Sequence, residues 1–322
     1  MAVSPVERPL FACLKTGKGC QRGEFLPFVK GGKEGFSLQC LYNYGLTNNM
    51  RYKFLLLLGL WLVAFIPVYP LMVWTWLNHS DNSHGTLVPL VSLYFIWQKK
   101  EKLRSIRVSH SNFGAIILLI SVVLYLLSYA GGVAVVSRAM IVSSLIGLVI
   151  FALGKEFFSL LAFPLLYLFF MVPVPDSILG LVAFPLQLFA TKVSASVIHL
   201  FSIPAYREGN MLYFAQTQLE VAEACSGIRS IMSFGMLSLI FAYMMDKIWW
   251  KRIVLVLSTI PLALFANIVR VTGTGILAHF YGSGVALGFL HEFSGFAVFA
   301  FGFVLLLGEF VLLNKVRVTS NR

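Results

Sequence analysis

Charged side chains are scarce in this chain. Asp, Glu, Lys and Arg make up 12% of its 322 residues, whereas 58% are apolar. This composition excludes an ordinary soluble enzyme and indicates a polytopic membrane protein whose solvent is mostly lipid. Cysteine is also scarce: three of the four lie in the first 50 residues, and Cys225 stands alone. A disulfide framework is therefore not expected, and we find no internal repeat and no low-complexity tract.

The net charge of +12 comes from short Lys and Arg clusters between apolar runs. Positive-inside topology explains this pattern more simply than binding of nucleic acid. The order of basic ends and apolar runs predicts an all-α fold of about eight membrane-spanning helices with both termini in the cytoplasm. The predicted spans are residues 54–77, 86–98, 114–134, 139–153, 157–171, 228–245, 253–275 and 293–313.

Residues 1–50 are polar, rich in Gly and Lys, and contain no apolar run long enough to span a membrane. We expect a poorly ordered cytoplasmic tail, followed by one multi-pass membrane domain over residues 51–317. Met50 is followed by two basic residues and a leucine run, which is how many membrane proteins begin. The alternative is that the tail is an artefact of an upstream start codon.

One long apolar run does not fit the alternation of spans. The basic clusters place both Asp176 and Cys225 outside the cytoplasm, so residues 178–204 must begin and end on the same face. We predict an interfacial or re-entrant helix for this run. Between it and Cys225, Gly209 and Asn210 are a turn signal between two short strand-like stretches. The pattern predicts a small extracytoplasmic hairpin before the cysteine.

The predicted topology brings chemically capable groups to the outer face. Cys225 begins the sixth span, Arg270 lies near the outer end of the seventh, and His291 lies at the outer start of the eighth, with His84 in the first outer loop. A charge inside a span is costly, so Arg270 is a functional candidate. The alternatives are a cysteine that packs as a small apolar residue, an arginine that snorkels, and an interfacial histidine. Supporting or substrate-binding candidates are Arg229, Glu223, Asn267 and His84.

A cysteine and a histidine are the minimum for covalent acyl transfer. The histidine takes the thiol proton, the thiolate attacks a carbonyl, and the imidazolium then protonates the leaving amine. Arg270 would stabilise the oxyanion or hold a substrate carboxylate. This chemistry needs no cofactor, and we expect no metal site, since the ligand-type residues are scattered.

Five segments of the sequence resemble the exosortase/archaeosortase family of prokaryotic membrane cysteine transpeptidases. They are SHGTLVPL at 83–90, MVPVP at 171–175, EVAEACSGIRS at 220–230, ANIVRV at 266–271 and the His291 region ending in Gly295. The resemblance implies catalytic roles for Cys225, Arg270 and His291, and it includes Arg229 in the cysteine motif. It covers about residues 54 to 313.

The resemblance also implies a function and partners. The substrates would be exported membrane proteins whose C-terminal signal combines a short motif such as Pro-Glu-Pro, a transmembrane helix and a basic tail. A thiol protease or transpeptidase in the prokaryotic inner membrane would cleave at the motif, outside the cytoplasm, and pass the new C-terminus to an unknown acceptor. No nucleic-acid partner is expected.

Three other functions stay open at the level of sequence. A membrane transporter would also have many spans and a buried arginine, but no repeat relates the two halves of this chain. A non-catalytic assembly factor for exopolysaccharide export would not need its Cys, Arg and His. Simple hydrolysis shares the acyl-enzyme step with transpeptidation and differs in the acceptor.

Overall fold

The described part of the chain folds as a set of packed helices with a small sheet, seen here in a computed structural model. The structure describes residues 52–106, 108–215, 218–221, 228–245, 248–282 and 289–316. The predicted tail over residues 1–50 lies outside the described residues. The described part is mostly helical and apolar, as expected for an all-α polytopic membrane protein.

The first predicted span, residues 54–77, is not one straight helix. Helix α1 (Tyr52–Ala64) and helix α2 (Tyr69–Asn78) meet at a bend of 68°. Pro67 and Pro70 account for the break, because proline has no amide hydrogen and its ring clashes with the carbonyl four residues earlier. The bent pair covers the predicted first span, which stays a prediction as a single crossing.

A 3-10 helix (Ser80–Thr86) then leads into α3 (Leu87–Gln98) and the short basic helix α4 (Lys100–Ser105). Helices α5 (Asn112–Ala130) and α6 (Ala134–Ala152) follow as a closely packed antiparallel pair. Gly147 allows this closeness, since a Cβ there would lie 2.6 Å from the backbone nitrogen of Leu118. Small residues of this kind drive helix packing in lipid.

Helix α7 (Lys155–Tyr167) contains a proline that explains its contact with α3. Pro164 has no amide hydrogen, so the carbonyl of Leu160 loses its usual donor four residues later. The ammonium of Lys99 donates to that carbonyl instead. The hydroxyl of Ser92 donates to the carbonyl of Pro164 at 2.9 Å. These bonds hold α3 and α7 antiparallel.

A second 3-10 helix (Leu168–Met171) ends α7, and the indole nitrogen of Trp76 donates to the Met171 carbonyl at 2.8 Å. After a proline-rich segment the chain forms α8 (Asp176–Leu200), an unbroken helix of 25 residues. Because α8 is continuous, residues 176–200 do not turn back on themselves, so the re-entrant form of the prediction for residues 178–204 was wrong.

The predicted hairpin is present, and it has a third strand. Strands β1 (Tyr206–Glu208) and β2 (Met211–Tyr213) pair antiparallel across the two-residue turn that the sequence indicates, and β3 (Gln218–Glu220) pairs with β2. Gly209 has a φ of 60° at the first central position of the turn, which glycine adopts without strain. The sequence pattern of β3 was too short to indicate a strand.

Four further helices complete the described fold. They are α9 (Ile228–Met244), α10 (Trp249–Leu257), α11 (Thr259–Tyr281) and α12 (Phe289–Lys315). The rings of Phe234 and Phe299 stack at 5.2 Å, and those of Phe241 and Phe310 stack at 4.9 Å, so α9 and α12 run parallel.

Helix α11 runs in the opposite direction to α12. Near the start of α11, the hydroxyl of Ser258 donates to the carboxylate of Glu309 at 2.6 Å, and at the middle of α11 Arg270 packs against Gly295. The start of α9 and the end of α11 therefore lie at the same end of the bundle. Pro261 explains the break between α10 and α11, because it removes an amide donor from the first turn of α11.

Helix α8 lines a cavity with α9 and packs against α11. Leu179 lines a cavity with Met232, which is in the second turn of α9. Near its other end, Ile198 lies 2.8 Å from the Cβ position of Gly275, two turns before the end of α11. Near the middle of α11, the hydroxyl of Ser194 donates to the carbonyl of Ile268 at 3.2 Å, so the C-terminal part of α8 runs beside α11 in the same direction. The predicted interfacial place of α8 relative to the lipid stays a prediction.

The opposite end of the bundle is basic. Lys251 is buried there and donates to the carbonyl of Val316, just past α12, at 2.6 Å. Arg252 donates to the carbonyl of Met245, just past α9, at 2.9 Å. Cations at helix C-termini satisfy orphan carbonyls and oppose the negative end of the helix dipole. The two ends of the bundle thus differ in chemistry.

The predicted count of eight spans is not confirmed. Among the described residues, five helices are long and apolar enough to cross a membrane, or six if the bent pair α1 and α2 is one span. Helices α3, α7 and α9 were predicted as spans, but with 12, 13 and 17 residues they are shorter than those five helices. Helix α8, which was predicted as an interfacial or re-entrant helix, is one of these five by length and composition.

Candidate functional site

An ion pair joins two segments that the sequence analysis treated separately. Asp81 lies in the first 3-10 helix and Arg229 lies in the first turn of α9. One carboxylate oxygen of Asp81 accepts from the arginine Nε at 2.9 Å and from its Nη2 at 2.7 Å. Both side chains are partly exposed. The pair therefore fixes the start of α9 against the loop that contains His84.

A cavity of about 220 Å³ lies beside this ion pair. Its polar wall is the first 3-10 helix, with Asp81, Asn82 and His84. Its other walls are apolar and come from the second 3-10 helix, the proline-rich segment, α8 and α9. These apolar residues are Phe169, Phe170, Val172, Val174, Leu179 and Met232. The cavity thus brings together two of the segments that carry the family resemblance.

The histidine in this wall is held in its neutral form. Burial lowers the pKa of His84 from its usual 6.5, although the backbone carbonyls of Asp81 and Phe170 and the Asp81 carboxylate act in the opposite direction. A neutral imidazole beside an ion-paired carboxylate leaves the polar wall with little net charge.

Arg270 makes the second contact between sequence-predicted segments. Its Nη2 lies 3.2 Å, and its Cζ 3.4 Å, from the place that a Cβ of residue 295 would occupy. Gly295 therefore lets the guanidinium approach the backbone of α12. Position 291 is one turn earlier in α12, and residues four apart share a helix face. Asn267 is buried one turn before Arg270 on α11.

The remaining candidates are described less fully. Cys225 and Glu223 lie outside the described residues, and for His291 the structure describes the backbone of α12 but not the side chain. Ile231 and Ala266 belong to one cluster of packed residues, which sets the first turns of α9 level with the first half of α11. Arg229 and Arg270 consequently lie at the same end of the bundle.

Sequence reasoning missed Asp81 and Asn82. Asp81 is the acidic residue of a predicted outer loop, and that was the signal available; its partner is 148 residues away in the chain. Asn82 is buried in the cavity wall, which no local pattern indicates. Within the described residues, no group of three His, Cys, Asp or Glu could hold a metal ion.

The arrangement provides two features at one end of the bundle. The first is a mostly apolar cavity with little net charge. The second is a pair of guanidinium groups on neighbouring helices: Arg229 follows Cys225 in the chain, and Arg270 contacts α12 one turn from position 291. Guanidinium groups suit the recognition of carboxylates and the stabilisation of developing oxyanions.

Comparison with known proteins gives one match. Residues 76–308 match the family described as "Transmembrane exosortase (Exosortase_EpsH)", which is more than half of the chain. The matched region includes the first 3-10 helix, the cavity, the cysteine motif, Arg270 and Gly295. No curated protein and no solved structure matches the chain.

Proposed function

Since the chain belongs to the transmembrane exosortase family, we propose that it is a membrane cysteine transpeptidase that cleaves the C-terminal sorting signal of exported proteins. The signal consists of a short motif, a membrane-spanning helix and a basic tail. The enzyme passes the new C-terminus to an acceptor that is an amine, a lipid or water.

The proposed reaction proceeds through a thioester. His291 accepts the proton of Cys225, and the thiolate adds to the carbonyl of the scissile bond. Arg270 stabilises the oxyanion that forms. The C–N bond then breaks, the imidazolium protonates the leaving amine, and the acyl group stays on the sulfur. The acceptor attacks the thioester and releases Cys225.

The observation that supports this proposal most directly is the contact between Arg270 and Gly295. It brings a guanidinium to the face of α12 on which position 291 lies, one turn away. Three residues that are far apart in the sequence, namely Arg270, His291 and Arg229 of the cysteine motif, thus belong to helix segments at one end of the bundle.

The basic residues support a sidedness for the enzyme. They gather at the end of the bundle opposite to Arg229 and Arg270, where Lys251 and Arg252 bind helix C-termini. Under the positive-inside rule that end faces the cytoplasm. The proposed active site then faces the outside, where exported proteins are.

The experiment is co-expression of wild type and of Cys225→Ala with tagged proteins that carry C-terminal sorting signals, followed by intact-mass analysis. We expect the signal helix to be lost with wild type and retained with the variant. The added mass identifies the acceptor, and an unmodified new C-terminus indicates hydrolysis. Equal processing by both proteins would exclude Cys225 as the nucleophile.

A further inference from the structure

Helix α9, which follows the proposed nucleophile in the chain, forms part of the cavity wall. Met232, in its wall, is one turn beyond Arg229 in α9. Helix α9 begins three residues after Cys225, and an extended chain covers about 3.5 Å per residue. The cysteine is therefore no more than about 11 Å from the first residue of α9, which leads directly to the cavity wall.

The chemistry of the cavity selects the kind of group that it can hold. The carboxylate of Asp81 is paired with Arg229, and burial disfavours the charged form of His84. Two Phe, two Val, one Leu and one Met form the remaining walls. A charged group that enters would leave water and find only an ion-paired carboxylate and uncharged side chains among the lining residues, which costs free energy. An uncharged, apolar group meets no such cost.

The size of the cavity further limits which groups can bind in it. At about 220 Å³ it is below the roughly 300–1,000 Å³ of pockets for drug-sized ligands. One or two amino-acid side chains fit this volume, whereas a lipid acyl chain would extend well beyond it.

We propose that this cavity is a specificity pocket that receives one uncharged, apolar side chain of the substrate's sorting motif, close to the bond that is cleaved. This inference rests on the proposed function, because it takes the substrate to be a polypeptide. The ion pair between Asp81 and Arg229 borders the pocket through Asp81 and holds α9 against the first 3-10 helix, which forms the polar wall. The pocket thus determines which residue of the sorting motif the enzyme recognises.

Leu179 offers a test with a matched control on the same helix. It lines the cavity, whereas Leu181, two residues later on α8, is 77% exposed. Leu179→Ala enlarges the pocket and Leu179→Trp narrows it, while Leu181→Ala and Leu181→Trp leave it unchanged. Each protein is co-expressed with tagged substrates in which one motif residue at a time is Gly, Val, Pro, Phe or Glu, and the cleaved fraction is measured.

We expect one motif position to respond to pocket size. At that position, Leu179→Trp lowers the cleavage of the Phe substrate relative to the Gly substrate by about tenfold or more, and Leu179→Ala raises it, since changes of this size in an apolar pocket alter specificity by about 10–200-fold. The Leu181 variants keep the wild-type preference. If Leu179→Trp does not fold, a photo-crosslinker at position 179 in the Cys225→Ala protein provides the second test. We expect it to crosslink to the substrate motif.

The failures of the two proposals are distinguishable. The pocket proposal fails if cleavage depends on Cys225 but the Leu179 and Leu181 variants have the same substrate preferences. It also fails if the responding position prefers Glu. Neither result contradicts the proposal of a transpeptidase. Absence of Cys225-dependent cleavage in the wild type overturns both.

Discussion

Asp81 and Arg229 form an ion pair between segments that are 148 residues apart, with contacts of 2.7 Å and 2.9 Å to one carboxylate oxygen. The pair joins the first 3-10 helix to the first turn of α9. Helix α9 begins three residues after Cys225, so this contact positions the helix that follows the proposed nucleophile. Asp81 is thus a candidate positioning residue.

Loss of this ion pair should affect processing more than folding. Because both partners are partly exposed, Asp81→Asn should lower the free energy of unfolding by less than about 1 kcal/mol. Processing should fall by about tenfold, the effect of about 1.4 kcal/mol on a barrier. A double-mutant cycle with Arg229→Gln, measured by thermal unfolding in detergent and by substrate cleavage, should show coupling in the cleavage data.

The control for that cycle is Glu101→Gln, which removes the exposed pair between Glu101 and Arg104 on α4. It should change neither stability nor cleavage. An equal loss of cleavage in Asp81→Asn and Glu101→Gln would refute a special role for Asp81.

A methyl group at position 295 should displace Arg270. In Gly295→Ala the new Cβ lies 3.2 Å from Nη2, so the guanidinium has to move by a few tenths of an ångström. Since a misplacement of 1 Å can cost about a hundredfold in rate, we expect processing to fall by about tenfold. Stability should not fall, because Ala is favoured over Gly in a helix by about 0.5–1 kcal/mol.

Gly308→Ala is the matched control, because position 308 lies on the same helix and a Cβ there meets nothing within 4 Å. It should keep wild-type processing. Equal processing by both variants would argue against a role for the position of Arg270.

Acidification should destabilise the fold through His84. Burial lowers the pKa of its imidazole in the folded chain below the usual 6.5, so the unfolded state binds more protons between the two values. Stability is therefore highest above pH 6.5 and falls as the pH drops through 6.5 towards the lowered pKa. Thermal unfolding at pH 7.5 and 5.5 should show this loss in the wild type, and His84→Gln should show a smaller one. The same pH dependence in both proteins would contradict the assignment.

The contact between α5 and α6 should not tolerate a larger residue at position 147. A Cβ there would lie 2.6 Å from the backbone nitrogen of Leu118, so Gly147→Ala has to separate the helices. We expect a loss of about 1–3 kcal/mol, the usual effect of overpacking, measured by thermal unfolding in detergent. Gly180→Ala, with nothing within 4 Å of its Cβ, should be neutral or stabilising. A neutral Gly147→Ala would mean that the helices pack less closely.

The predictable parts of this fold are those with local causes. Long apolar runs predicted α5, α6 and the last helix, with ends that agree with the structure to within a few residues. Gly209 and Asn210 predicted the β1–β2 turn. The bend between α1 and α2 has an equally local cause in Pro67 and Pro70, which the prediction of residues 54–77 as one span overlooked. The third strand is too short to have a pattern of its own.

The site was predictable as a set of motifs but not as a geometry. Arg270 stood out as a charge within an apolar run, and Arg229 and His84 stood out through their motifs. Their contacts could not be derived, since Asp81 pairs with Arg229 and Arg270 packs against Gly295 across long separations in the chain. Cys225 and Glu223 stay predictions, as does the role of His291.

The amino-acid sequence by itself determined the class of protein, the positions of most helices and the motifs that assign the family. Only the tertiary structure decided which faces of the helices meet, that α8 packs beside α11, and that a cavity opens beside the Asp81–Arg229 pair. The reason is physical: in a soluble helix the apolar face marks the core, whereas in lipid both the packed face and the lipid-facing side are apolar. Periodicity therefore locates a membrane helix but does not orient it.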